Sequence, residues 1–180
     1  MAIQDFNLAN LDGSSGFRLD GDENVIFLGR SVSDAGDVNG DGIDDVITGS
    51  LSGYVVFGSD TGFGAGVDLS GLNGNDGFRL EGSNGNDGYD YPFSSAGDVN
   101  GDGFGDVIMG SYRGDSSGKD SGSSYVLFGK ATGFNASIPL TSLDGSNGFR
   151  IDGAQDYDWS GKSVSGAGDI NGDGFDDVII

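Results

Sequence analysis

Three copies of one nine-residue pattern constrain this chain more than any other feature. They are Asp37-Val38-Asn39-Gly40-Asp41-Gly42-Ile43-Asp44-Asp45, Asp98-Val99-Asn100-Gly101-Asp102-Gly103-Phe104-Gly105-Asp106 and Asp169-Ile170-Asn171-Gly172-Asp173-Gly174-Phe175-Asp176-Asp177. Oxygen-bearing side chains stand at positions 1, 3, 5 and 9 of every copy, and glycine follows position 5. Position 7 is apolar, so only its carbonyl could face a ligand. Loops that wrap a hard cation order their ligands in this way: carboxylates bring charge, Asn brings a neutral oxygen, and Gly permits the tight turn. An EF-hand begins similarly but needs a bidentate Glu at position 12 and flanking helices. Position 12 here is Thr48, Met109 and Ile180. The plainer alternative is an Asn/Asp/Gly hairpin turn without an ion. A single copy leaves that open, whereas three copies with every oxygen kept favour a cation.

The runs after each loop are apolar and β-branched: Val46-Ile47, Val107-Ile108 and Val178-Ile179-Ile180. They read as buried strands, so each loop joins two strands of a hairpin. Other landmarks recur in register. Asp37 and Asp98 are 61 residues apart, Asp98 and Asp169 are 71 apart, and Phe17, Phe78 and Phe149 keep the same offsets. Tyr54-Val55-Val56-Phe57-Gly58 matches Tyr125-Val126-Leu127-Phe128-Gly129. The extra residues of the second interval fall between Gly110 and Tyr125, which predicts a surface loop. Predicted strands are 28–36, 45–49, 53–57 and 76–82 in one unit, then 92–97, 106–110, 123–128 and 147–153 in the next. Gly, Ser, Asn and Asp fill the segments between, and no helical stripe is visible. Four short strands per period, arranged radially, make a β-propeller blade; β-helix repeats are much shorter.

Composition narrows the function. The chain has 37 Gly, 2 Pro and 35% hydrophobic residues in spaced clusters, a turn-rich β composition. Its net charge of −21 argues against nucleic acid and anionic membrane as partners. No apolar run approaches membrane-spanning length. Cys and His are both absent, which removes disulfides, thiolate chemistry and the commonest general base. Met1-Ala2-Ile3-Gln4-Asp5 lacks the regions of a signal peptide.

These residues together resemble the FG-GAP repeats of integrin α-subunit propellers and their bacterial relatives. The resemblance rests on the strand before the loop (Leu28-Gly29-Arg30-Ser31-Val32 and Gly161-Lys162-Ser163-Val164), the loop itself, the following Asp-Val-Ile-x-Gly, and the Tyr-Val-x-Phe-Gly strand. Gly49-Ser50-Leu51 and Gly110-Ser111-Tyr112 depart from the usual Gly-Ala-Pro. The resemblance implies about three structural Ca²⁺ ions. Their side-chain ligands would be Asp37, Asn39, Asp41 and Asp45; Asp98, Asn100, Asp102 and Asp106; and Asp169, Asn171, Asp173 and Asp177. The carbonyls of Ile43, Phe104 and Phe175 would complete the sets. Position 8, which tolerates Gly105 beside Asp44 and Asp176, is not expected to be a ligand.

The expected fold is therefore all-β, a β-propeller segment of four-stranded antiparallel blades. Residues 1–21 would hold the last strand of a blade, 22–82 and 83–153 two full blades, and 154–180 the first two strands of a third. Open ends of this kind would meet the remaining blades of a longer parent, or a second copy. The expected role is a calcium-binding structural or cell-adhesion module, extracellular or at the cell surface, taking a protein or glycan ligand at a propeller face. The alternative is the non-catalytic propeller portion of a secreted hydrolase or carbohydrate-binding protein. No enzymatic activity is expected of the chain itself. Gly114-Asp115-Ser116-Ser117-Gly118 fits the nucleophile-elbow pattern, but no His exists to serve it. Gly161-Lys162-Ser163 lacks the first Gly of a phosphate loop, Asp156 standing there. Arg113-Gly114-Asp115, the tripeptide integrins bind in their ligands, is the candidate for partner binding, with composition as the plainer reading. Trp159 has no repeat partner and reads as local packing.

Overall fold

The computed structural model describes residues 7–21, 27–82, 91–131 and 133–180. The expected boundaries at residues 1, 22 and 83 lie outside these residues. Thirteen strands and three one-turn 3₁₀ helices make up the regular structure, with no α-helix among the described residues.

The first main sheet contains β2 (Ser31–Gly36), β3 (Asp45–Gly49), β4 (Ser52–Val56) and β6 (Gly77–Glu81), antiparallel in that order. The second contains β7 (Phe93–Gly97), β8 (Asp106–Ser111), β9 (Ser123–Leu127) and β11 (Gly148–Asp152) in the same arrangement. β12 (Ser165–Gly168) and β13 (Asp177–Ile179) form a hairpin. Strand boundaries agree with the sequence expectation within a residue or two, except that β2 begins at Ser31. Residues 27–29 form a turn before it, with Phe27 and Gly29 both at positive φ.

Two short strands were not expected. β5 (Gly66–Asp68) and β10 (Ser137–Pro139) lie in segments read as loops, whereas β1 (Arg18–Asp20) lies within residues 1–21, the segment expected to hold a last strand. β5 pairs in parallel with β1, and β10 pairs in parallel with β6. Each connection between the third and fourth strands of a unit therefore reaches back to the outermost strand of the preceding unit. A parallel strand pair cannot be closed by a tight turn, and here the long crossover comes from the next repeat.

The core lies between the two main sheets. Ile47, Val55, Phe57, Phe78 and Leu80 of one face Phe93, Val107, Met109, Tyr125 and Leu127 of the other. The opposite faces are covered too. Tyr54, Val56, Leu69 and Leu72 cluster on the first sheet, and Ala96, Ile108, Val126 and Val164 on the second. Burial on both faces explains why residues 107–109 of β8 and 125–127 of β9 run apolar without a polar alternation. β2 packs against β7, and β7 against β12, so the three sheets converge on their first strands. Small residues make this close approach feasible. A Cβ on Gly166 would lie 3.0 Å from the Ala96 main chain.

Candidate metal centre

Each of β2, β7 and β12 ends in a β-bulge, between Asp34 and Gly36, Ser95 and Gly97, and Gly166 and Gly168. The glycine that closes each bulge has positive φ, +68°, +78° and +67° respectively. An extra residue there bends the strand and throws the chain into the Asp loop. All three loops then fold by the same hydrogen bonds.

In the first loop, the Asp37 carboxylate accepts from the amides of Gly40 (2.7 Å), Asp41 (3.0 Å) and Gly42 (2.8 Å). Asn39 Oδ1 accepts from Asp41 N (2.8 Å), and Asp41 Oδ1 from Ile43 N (2.9 Å). The middle loop repeats this through Asp98, Asn100 and Asp102. The last repeats it through Asp169, Asn171 and Asp173. Asx side chains bonding amides a few residues ahead build such turns without help from a sheet. Among the described residues, no three acidic side chains close on one point. The loop carboxylates are turned onto their own amides.

Position 9 is different in kind. Asp45 and Asp106 are 1% and 0% exposed. Asp45 Oδ2 accepts from Val38 N (2.9 Å), and its Oδ1 from Gly58 N (2.8 Å) just beyond β4. Asp106 likewise accepts from Val99 N and Gly129 N, both at 2.9 Å. Each carboxylate thus clips the loop to the end of the third strand. Burial pushes both carboxyls up to about 6, although the two amides pull them down; the neighbouring position-5 and position-1 carboxylates add repulsion. Asp177 keeps the amide of Ile170 (3.0 Å), while its other oxygen takes Asn171 Nδ2 at 3.4 Å.

The chemistry of this donor set fits a hard divalent cation. It holds oxygen donors only, with three carboxylates per loop. An ionised carboxylate has about four acceptor sites and an amide oxygen two. Asp37 uses three of its sites, while Asn39, Asp41 and Asp45 each retain one or more.

Residues 93–127 match the family model of the FG-GAP repeat. The chain carries an FG-GAP repeat. The matched FG-GAP repeat runs from the first residue of β7 to the last of β9 and contains the middle Asp loop.

Two further positions of the Asp loops act in ways their sequence did not announce. The Phe104 ring of the middle loop lies over Gly40 of the first, and the Phe175 ring of the last lies over Gly101 of the middle one. A Cβ at either glycine would occupy ring space. Position 7 therefore offers a covering side chain as well as a carbonyl. Position 8 bonds backward: Gly105 N donates to Asp37 O (2.8 Å), and Asp176 N to Asp98 O (3.0 Å). Repetition of an aromatic at position 7 in two of the three loops was the available signal.

The other candidates are placed as follows. Arg113 lies 5.5 Å from the centre of the Tyr112 ring. Gly114 is buried and bonds Ser111 O and Gly122 N, while Asp115 accepts from Asp120 N at 2.7 Å. The tripeptide is thus folded into hydrogen bonds of its own loop. That loop is not a free excursion. Its Lys119, Asp120 and Ser121 carbonyls accept from Tyr157, Trp159 and Ser160 amides. Trp159 is 46% exposed, with Lys162 Nζ 5.0 Å from the ring centre. Tyr157 and Trp159 both sit at positive φ, 63° and 53°, where this docking holds them.

Proposed function

We propose that this chain is a calcium-stabilised β-propeller segment serving as a structural, protein-binding module outside the cell. The observation that carries this reading is one oxygen-donor loop, folded three times by the same hydrogen bonds with lone pairs to spare. Convergence of three sheets on their first strands supports the propeller arrangement, as does the FG-GAP match over the middle unit.

Asp37, Asn39, Asp41, Asp45 and the Ile43 carbonyl would hold the ion of the first loop, with the equivalent residues in the other two. A bound divalent cation supplies positive charge against three mutually repelling carboxylates. The chain supplies order. Asx turns set positions 1, 3 and 5, and the buried clip at position 9 fixes the loop to the sheet. Three such ions would bring the net charge from −21 to −15. A partner protein or glycan would meet exposed loops at a propeller face. Among the described residues no helix is long and apolar enough to cross a membrane.

Melting in chelator tests the reading. An ion bound only by the folded state stabilises it by mass action. The melting temperature should fall in EDTA and recover with Ca²⁺, but poorly with Mg²⁺, which keeps its waters and demands a rigid octahedron. Asp41→Ala should lower the calcium stoichiometry by one ion, read by native mass spectrometry. Melting that ignores the chelator would refute the proposal.

A further inference from the structure

The three loops are not separate. Gly105 N donates to the Asp37 carbonyl, and Asp176 N to the Asp98 carbonyl, so each position 8 grips position 1 of the loop before it. At the second junction the side chain of position 8 joins in. Asp176 Oδ2 also accepts the Asp98 amide at 2.8 Å. The main chain of Asp98 is therefore held on both sides by one residue of the next repeat. Gly97, at φ +78°, leaves the room for that carboxylate, since a Cβ there would collide with it. At the first junction position 8 is Gly105, which has no side chain to close the pair.

We propose that Asp176 is a positioning residue for the middle loop. By fixing Asp98, the position-1 donor of that loop, it raises the affinity of the middle loop for a divalent cation from the neighbouring repeat. The inference rests on the calcium reading above. The physical reason is preorganisation. A carboxylate donor held at its backbone loses less freedom when it takes a cation, and partners of metal ligands commonly change affinity by about 10- to 100-fold. Its own loop gains nothing from the Asp176 side chain, which is turned toward the previous one.

Titrating the full chain with CaCl₂, with the amide resonances of Gly42, Gly103 and Gly174 reporting the three loops, tests this. Asp176→Ala should weaken the middle loop by about ten-fold or more and leave the first loop unchanged. Asp176→Asn, which keeps an oxygen for the Asp98 amide, should recover most of the loss. Asp44→Ala, at the equivalent exposed position of the first loop, should weaken none of the three. In chelator, Asp98 amide exchange should be faster in Asp176→Ala than in wild type. A middle loop that binds normally in Asp176→Ala overturns the proposal while leaving calcium binding intact. Equal weakening at all three loops overturns it as well, because it marks general destabilisation. A wild-type chain that binds no calcium removes the reading beneath it and the proposal together.

Discussion

Replacing Asp106 by Ala in the absence of calcium separates the two jobs that the loop carboxylates could do. Asp106 is fully buried, and its oxygens take the amides of Val99 and Gly129. Alanine leaves the buried Gly129 N–H and the half-buried Val99 N–H without their partner. An orphaned buried donor costs about 1–3 kcal/mol and a half-buried one less, so the pair costs about 2–5. Losing the carboxylate also relieves its own burial cost, which pulls the net toward the lower part of that range, about 2–4 kcal/mol. For a chain of this size each kcal/mol moves the melting temperature by about 2–4 °C. The expected fall is on the order of 5–15 °C.

The control is Asp102→Ala. Asp102 is exposed, and its oxygens hold Phe104 N and Asn100 Nδ2 near solvent. In chelator its loss should cost less than about 1 kcal/mol, since water replaces both partners. Asp106→Asn should fall between. Its amide oxygen serves one N–H, but its NH₂ faces the other donor to donor. Urea denaturation of the three variants in EDTA measures all of this. If Asp106→Ala costs no more than Asp102→Ala, position 9 is not a structural clip and the argument fails.

Gly40→Ala should destabilise by about 1–3 kcal/mol, because φ of +73° strains an L-residue and the Phe104 ring blocks its Cβ; Phe104→Ala in the same chain should relieve part of the loss, which a double-mutant cycle would read. Phe134→Ala should cost about 3–5 kcal/mol in urea unfolding, since its buried ring stacks on Phe78 at 4.6 Å and meets Phe57 at 5.6 Å. The equivalent Phe63→Ala should cost less, its ring being half-buried against Phe17. Ser31→Ala should cost about 1–3 kcal/mol and speed exchange of the Phe93 amide, because Ser31 Oγ both accepts from Phe93 N and donates to Phe93 O, each at 2.9 Å.

The strands after the loops were legible because they are short apolar, β-branched runs, as in Asp45–Gly49, and the others because they recur in register with them. The loops were legible because their oxygens recur in fixed register. β5 and β10 were not. Each has three residues with one large apolar side chain, Val67 or Ile138, and its partner belongs to the preceding repeat. No local periodicity encodes a pairing across that distance. Position 9 was read by its spacing as a ligand, and spacing says nothing of burial. The hint was that Asp45 and Asp106 open the apolar runs directly, which places a carboxylate inside a strand covered on both faces. Position 8 looked tolerant because Gly105 replaces an acid there. The tolerated atom is the side chain, while the amide does the bonding at both junctions.

The seams between repeats share a direction. β5 lies on β1 and β10 on β6, each contributed by the later unit to the earlier. Phe63 stacks on Phe17 at 4.1 Å as Phe134 does on Phe78. Phe104 and Phe175 cover glycines of earlier loops, and Lys130 N donates back to Val38 O at 3.0 Å. The outermost strands β1 and β6 are thus each covered by the unit that follows in sequence. A repeat that buries its outer strand only under the next repeat is not stable by itself, and stacking supplies the missing cover. Damage in one unit should then be felt most by its predecessor. The loop rim obeys the same rule, because the main chains of Asp37 and Asp98 are each bonded by the loop that follows. Ion binding and sheet packing would therefore be linked through the same residues. The loops are the ends of the strands on which the sheets converge, and the clip at position 9 ties the first two to the third strand of their own sheet.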